Sequence, residues 1–218
     1  MNSKEIIEEL KILDTASLSD ALDSLGFNGG LEGIEARTNN NNICGIAFTV
    51  KYDVADEEFK KKRKAADFID DVQDDHIIVL ANNGRSDCTV WGGILTKIAK
   101  SKNIKGTIID GACRDIKEIR QLNYPIFTKS IFMQSGKGRA KKINQQVSVY
   151  INKVRINPND FIKGDANGII VIPNNISEEV IRRAKRIKLT EEKILNAVLN
   201  GEKLSIARKN FSYNEPWK

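Results

Sequence analysis

Two short runs constrain this chain more than any other feature. His76–Leu80 (HIIVL) and residues 104–109 (IKGTII) are apolar nearly from end to end instead of alternating. A strand with one face in water alternates polar and apolar residues. A short unbroken apolar run fits a strand covered on both faces, as in a parallel sheet flanked by other layers. Each run leads into a polar, glycine-bearing segment, read as a loop at Ala81-Asn82-Asn83-Gly84 and as a turn at Asp110-Gly111-Ala112-Cys113. Residues 90–101 between them carry helical spacing. The middle of the chain is therefore β-α-β-α, and the fold class is α/β.

Other segments follow from the same periodicities. Ile6, Ile7, Leu10 and Leu13 recur at helical spacing over 3–13. Ser17 with Asp20 three residues on reads as the start of a second helix, ended by Gly26. Residues 44–51 (CGIAFTVK) suit a strand, and 57–70 a charged amphipathic helix. Asp115 starts a short helix to about Leu122, followed by a brief strand at Pro125–Thr128. From 131 to 172 short β-like runs alternate with turns at Gly136-Lys137-Gly138, Asn157–Asp160 and Asp165–Gly168. Ser177 to about Asn200 forms one long helix stopped by Gly201. The tail after Leu204 is weakly patterned and expected to be mobile. No repeat or linker divides the chain, so 218 residues are expected to form a single domain, with helix 3–13 and tail 205–218 peripheral.

Composition excludes several classes. No run reaches the roughly 18–20 apolar residues of a membrane span. The N-terminus, MNSKEIIEELKIL, lacks a basic n-region and an unbroken apolar stretch, so a cytoplasmic protein is expected. Cys44, Cys88 and Cys113 are odd in number and far apart, which favours three buried thiols over a disulfide or zinc framework. His76 is the one histidine, and it sits in an apolar strand. The net charge of +6 concentrates in Lys60–Lys64 and in 182–188. Both runs lie on helical patterns and read as solvated faces. Aromatics do not interleave with them, so nucleic-acid binding is not expected.

Candidate chemistry lies where parallel strands end, because ligands collect there in α/β sheets. The second strand delivers Arg114-Asp115. Trp91-Gly92-Gly93-Ile94-Leu95 opens a helix whose unpaired N–H groups suit a carboxylate or phosphate. Each feature also has a purely structural reading. Asp115 with Glu118 has capping-box spacing, Arg114 could be a surface ion-pair partner, and Gly92-Gly93 could serve packing. Asp160 and Asp165 sit in turns, where Asp bonds locally. Asp87 and Cys88 could be plain loop residues, and no base lies near Cys88 to activate its thiol.

The blocks VWGGIL, AKSKNIKGTIIDGACRDIKEIRQLNYPIF and INPNDFIKGDANGIIVIP, with DTASLSDALDSLG and GIAFTVK, resemble the RraA-like family over about residues 13–203. That family includes the regulator of ribonuclease E activity and the 4-hydroxy-4-methyl-2-oxoglutarate aldolases. The resemblance implies a three-layer ββα sandwich of swivelling-domain type, with a long C-terminal helix, assembled as homotrimers or homohexamers. It implies Mg²⁺ or Mn²⁺ at Asp115, contact of Arg114 with a substrate oxygen, and a substrate carboxylate on the backbone of Gly92, Gly93, Ile94 and Leu95. It also implies a carboxylate from a neighbouring subunit's C-terminal helix, matched by Glu191, with Glu192 as the alternative. The aldolases carry an acidic residue where this chain has Gly93, which departs from their pattern. The ribonuclease regulator lacks the Asp of the Arg-Asp pair, which this chain keeps.

The function expected from this resemblance is a metal-dependent lyase on a small anionic 2-oxo acid, by aldol cleavage or decarboxylation through a pyruvate enolate. The alternatives are a different reaction on an anionic substrate, motivated by Gly93, and a non-catalytic regulator of an RNA-processing enzyme.

Overall fold

The computed structural model describes residues 1–62 and 67–217, with the side chain of residue 62 outside the description. The helices are α1 (Ser3–Lys11), α2 (Thr15–Asp23), α3 (Glu57–Lys62), α4 (Gly93–Ser101), α5 (Ile116–Gln121), α6 (Ser177–Leu199) and α7 (Leu204–Asn210). The strands are β1 (Glu35–Ala36), β2 (Ile43–Val54), β3 (His76–Trp91), β4 (Gly106–Cys113) and β5 (Ile126–Ile131), then β6 (Ala140–Gln145), β7 (Val149–Ile151), β8 (Val154–Ile156), β9 (Phe161–Asp165) and β10 (Gly168–Ile172).

The main sheet runs β1-β5-β4-β3-β2-β9-β10, with β6 also pairing with β2. Strands β2, β3, β4 and β5 are mutually parallel, and the outer pairings are antiparallel. The two runs singled out in the sequence are adjacent central strands, as expected. Their unbroken apolarity has a visible cause. Ile78 and Leu80 point into a core beneath α4 and α5, while Ile77 and Val79 point into a second core beneath the β7–β8 hairpin. Burial of each such side chain stabilises the fold by roughly 1.5–3 kcal/mol. The layers are thus hairpin, sheet and helices, the expected ββα sandwich. A third core joins α1, α2 and α6 to β2, β9 and β10, through Leu18, Leu22, Phe161, Val180 and Ala184.

Several local expectations change. Helix α2 begins at Thr15, capped by Asp14, whose side chain accepts from Ser17 N–H. The sequence reading placed that start at Ser17. Thr15 is held by Asp165, which accepts from its N–H at 2.8 Å and its hydroxyl at 2.7 Å. The segments read as a loop at 81–84 and a turn at 110–113 both continue their strands. The register between β3 and β4 slips three times there, and Asn83 and Gly84 take positive φ of 54° and 67°. Bulges, not a chain reversal, absorb the polar residues. The helix expected over 57–70 is seen as α3 and a 3-10 turn at Ile69–Asp71, with residues 63–66 outside the described residues. The tail read as mobile contains α7, whose Ala207 is buried. His76 is a buried strand-start residue, edge-on to Phe48 and 2.8 Å from Asp75 Oδ1.

Candidate functional site

Strand β4 ends at Cys113, and the next two residues turn the chain into α5. Asp115 occupies the left-handed region there, with φ 59° and ψ 33°. A side chain at positive φ is uncommon, and Asp is among the residue types that tolerate it. Its carboxylate does not cap its own helix, so the capping-box reading of Asp115 and Glu118 is overturned. Instead Asp115 Oδ2 accepts from Gly93 N–H at 2.8 Å, at the N-terminus of α4. The left-handed turn aims the carboxylate sideways, from the β4–α5 corner to the β3–α4 corner. There it meets the positive end of a helix dipole.

The glycines follow from that arrangement. A Cβ on Gly92 would sit 2.7 Å from Asp115 Oδ2 and 3.3 Å from Arg114 Cγ and Nε. Gly92 is therefore bare because the Arg114-Asp115 pair lies on top of it. Arg114 Nε is 3.7 Å from Asp115 Oδ2, and both side chains are partly exposed. The Arg114 N–H donates to Trp91 O at 3.1 Å, which locks the two corners together.

These residues open onto a cavity of about 440 Å³, within the range of small-molecule sites. Its apolar wall is Tyr52, Ile69, Val90, Trp91, Leu95 and Ile98; its polar groups include Arg114, Asp115, Lys137, Asp67 and Asp70. Trp91 is fixed by stacking on Tyr124 and by an indole N–H bond to Thr96 Oγ1 at 2.8 Å. Gly92, Gly93, Ile94 and Leu95 all line the cavity, as does the Arg114-Asp115 pair. The Gly93 amide is already given to Asp115. Ile94 and Leu95, in the first turn of α4, carry the N–H groups that an incoming anion would meet.

Lys137 and Tyr52 were missed by the sequence reading. Lys137, which is exposed, stood in a segment taken only as a turn. Tyr52 lies just past the strand read over 44–51, buried between exposed Lys51 and Asp53 at the end of β2, an alternation that was the available signal. Cys88 is fully buried, and burial pushes its thiol upward, so it offers no nucleophile. On the same chain Glu191 lies elsewhere. It lines a second cavity of about 460 Å³ with Asp20, Asp23, Tyr213 and Trp217. Burial, then Asp20 and Asp14, hold its carboxyl above the usual range.

Among the described residues no three metal-binding side chains converge. Asp115 nevertheless offers a hard oxygen donor at a polar cavity wall. A single carboxylate suits a small divalent cation that keeps most of its waters. The residues fit a hydrated ion and not a dehydrated cage.

A helix layer, a mixed sheet with a parallel centre and a covering hairpin, with an acid–guanidinium corner at a helix start, define a swivelling-type ββα domain. The RraA-like (Aldolase/RraA) family model matches residues 15–171, and the chain belongs to that family. It is 42% identical over 212 residues to protein DlpA of Legionella pneumophila, covering 97% of this chain and 34% of DlpA, so it spans about a third of that longer protein. It is 31% identical to a Halalkalibacterium halodurans protein named "Putative 4-hydroxy-4-methyl-2-oxoglutarate aldolase", over 86% of each chain. Among solved structures, an uncharacterized Pseudomonas syringae protein superimposes with a TM-score of 0.84 at 42% identity, over 94% of this chain and 97% of that one. No helix among the described residues is long and apolar enough to cross a membrane.

Proposed function

We propose that this chain is a divalent-metal-dependent carbon–carbon lyase acting on a small 2-oxo acid, by aldol cleavage or decarboxylation. One observation carries the reading: Arg114, Asp115 and the first turn of α4 meet at one cavity. The similarity to a protein named for 4-hydroxy-4-methyl-2-oxoglutarate cleavage supports the substrate class.

The residues divide the work in a consistent way. The Ile94 and Leu95 amides receive the substrate carboxylate at the positive end of α4. Arg114 donates to the C2 oxygen, where charge accumulates as the C3–C4 bonding pair moves into the enolate. A fixed cation aimed at developing charge is the largest common source of rate. In aldol cleavage the C4 hydroxyl proton leaves through a water held at Asp115, C4 departs as a carbonyl, and the same water returns the proton to C3 of the enolate to give pyruvate. In decarboxylation C4 departs as CO₂, no hydroxyl proton is lost, and C3 of the enolate takes its proton from solvent water to give pyruvate. Tyr52, Trp91, Leu95 and Ile98 exclude solvent and strengthen each electrostatic contact. Asp115 would hold Mg²⁺ or Mn²⁺, which when bound supplies Lewis-acid stabilisation of the enolate. Glu191 of an adjacent copy completes the carboxylate set, with Glu192 as the alternative, in a homotrimer or homohexamer.

The test is pyruvate release from oxaloacetate and from 4-hydroxy-4-methyl-2-oxoglutarate, with Mg²⁺, with Mn²⁺ and with chelator. Turnover that needs the metal and disappears in Asp115→Asn is expected. Metal-independent turnover, or none with either compound, would remove the proposal.

A further inference from the structure

The substrate contacts above leave two donors of the cavity wall unused. The first is the Tyr52 hydroxyl. Tyr52 is 4% exposed, and its ring belongs to the core beneath α4 and α5. It lines the cavity beside Val90, Trp91 and Ala140. Among the described residues its hydroxyl has no hydrogen-bond partner. A buried O–H without an acceptor is costly, and a ligand in the cavity is the means of satisfying it. Burial, then the charge of Asp67, push the phenol above its usual range. The hydroxyl therefore stays protonated near neutral pH, where it can donate to an acceptor and cannot serve as a base.

The second donor is the Lys137 ammonium, which also lines the cavity and has no ion-pair or hydrogen-bond partner among the described residues. Its turn is fixed against β3. A Cβ on Gly136 would sit 2.4 Å from Thr89 O, so a glycine is what lets the turn come this close. Ser135 bridges to Thr89, and Gly136 O accepts from the N–H groups of Arg139 and Ala140, each at 2.8 Å. The turn also meets the strand that carries Tyr52. The Cβ of Ala140 lies 3.6 Å from the Gly136 position, and Ala140 pairs with Val54, two residues beyond Tyr52 on β2.

We propose that Tyr52 and Lys137 form a second carboxylate subsite, which selects 4-hydroxy-2-oxo acids bearing a carboxylate on C4 over analogues that lack it. The inference rests on the lyase reading above and adds the residues that recognise the far end of the substrate. Both donors serve the oxygens of that carboxylate, through the charge-assisted bonds that are the strong ones. An analogue without the carboxylate leaves a buried hydroxyl unpaired, and that asymmetry is the source of discrimination. Asp67 and Asp70 line the same cavity but are exposed, and water and salt screen them. Lys137 is exposed as well, so the buried hydroxyl carries the larger share.

The test compares cleavage of 4-hydroxy-4-methyl-2-oxoglutarate with that of 4-hydroxy-4-methyl-2-oxopentanoate, which has a methyl in place of the second carboxylate. Calorimetry with Mg²⁺ present compares 2-oxoglutarate with 2-oxopentanoate, which differ in the same way and have no C4 hydroxyl to be cleaved. The parent protein should prefer the diacid by at least about 30-fold in kcat/KM and in Kd, with Tyr52→Phe lowering that ratio by about 10-fold or more and Lys137→Met by about 3-fold or more. Tyr52→Phe keeps the ring and removes an unpartnered hydroxyl, so its melting temperature should not fall below the parent's. A merely structural role for Tyr52 would leave the ratio unmoved. If Tyr52→Phe keeps the parent ratio in turnover and in binding, the subsite is wrong and the lyase reading stands on its own turnover. If the parent cleaves neither hydroxy acid yet binds 2-oxoglutarate through Tyr52 and Lys137, the subsite stands and the lyase reading falls. A parent protein that binds diacid and monoacid equally overturns the subsite whatever its turnover.

Discussion

The carboxylate of Asp115 holds the N-terminus of a helix to which it does not belong: Oδ2 accepts from Gly93 N–H at 2.8 Å, across the corner between two parallel strands. This bond has a structural use and leaves the other carboxylate oxygen free. The two uses separate by substitution. Asn keeps an acceptor and tolerates positive φ, so Asp115→Asn is expected to melt within about 0.5 kcal/mol of the parent protein. It should lose Mn²⁺ binding and at least about 100-fold in kcat/KM. Calorimetry and steady-state assays on one preparation check both halves.

The backbone at 115 gives an independent prediction. Asp115→Ala removes the bond to Gly93, worth about 1 kcal/mol, and places a Cβ at φ 59° without a polar side chain to compensate. Asp115→Gly loses the same bond and gains left-handed freedom. The glycine variant should be the more stable of the two by about 1 kcal/mol in urea unfolding, with neither active.

Gly92→Ala should damage function more than stability. Residue 92 is in extended backbone, so the cost is steric, and the new methyl would displace Asp115 Oδ2 and Arg114. A fall of at least about 10-fold in kcat/KM is expected, since small misplacements of reacting groups are costly. The melting temperature should move by no more than a few degrees.

Asp110, at the end of β4, is buried and paired with Lys129 Nζ at 2.6 Å, and its other oxygen accepts from Gly84 N–H at 2.9 Å. Lys129→Met leaves that carboxylate buried and unpaired, which should destabilise by about 3 kcal/mol. Adding Asp110→Asn should recover part of the loss. Denaturant titration of the single and double variants measures it.

Arg182 and Arg183 bond to Glu179 and hold its carboxyl down to about 2, from an ordinary 4.5. Arg183 also donates to Ser24 O and Oγ, which ties α6 to α2. A depressed carboxyl contributes in full above its unfolded value and loses that contribution as pH falls. Glu179→Gln should therefore be the less stable protein near neutral pH, by under about 1 kcal/mol because the pair is partly exposed. The gap should close between pH 4.5 and about 2. Melting curves across that range show it.

The sequence by itself determined the sheet. The stretch Ile77–Leu80 has no polar residue to place in water, so a strand covered on both faces suits it, and it lies in β3 beside β4, which holds Gly106–Ile109 of the partner run. The Arg114-Asp115 pair and the glycines opening α4 were legible for the same reason, since they follow strands that could be located. Tertiary structure decided what those residues do. Spacing alone made Asp115 a cap for its own helix. The left-handed turn aimed it at Gly93, 22 positions earlier in the chain. No local pattern encodes that direction, because it depends on how two parallel corners sit side by side. The same holds for Tyr52 and Lys137 in the cavity wall. Periodicity reports which face of an element is buried, whereas the meeting of faces from distant elements is settled only when the sheet and its layers pack.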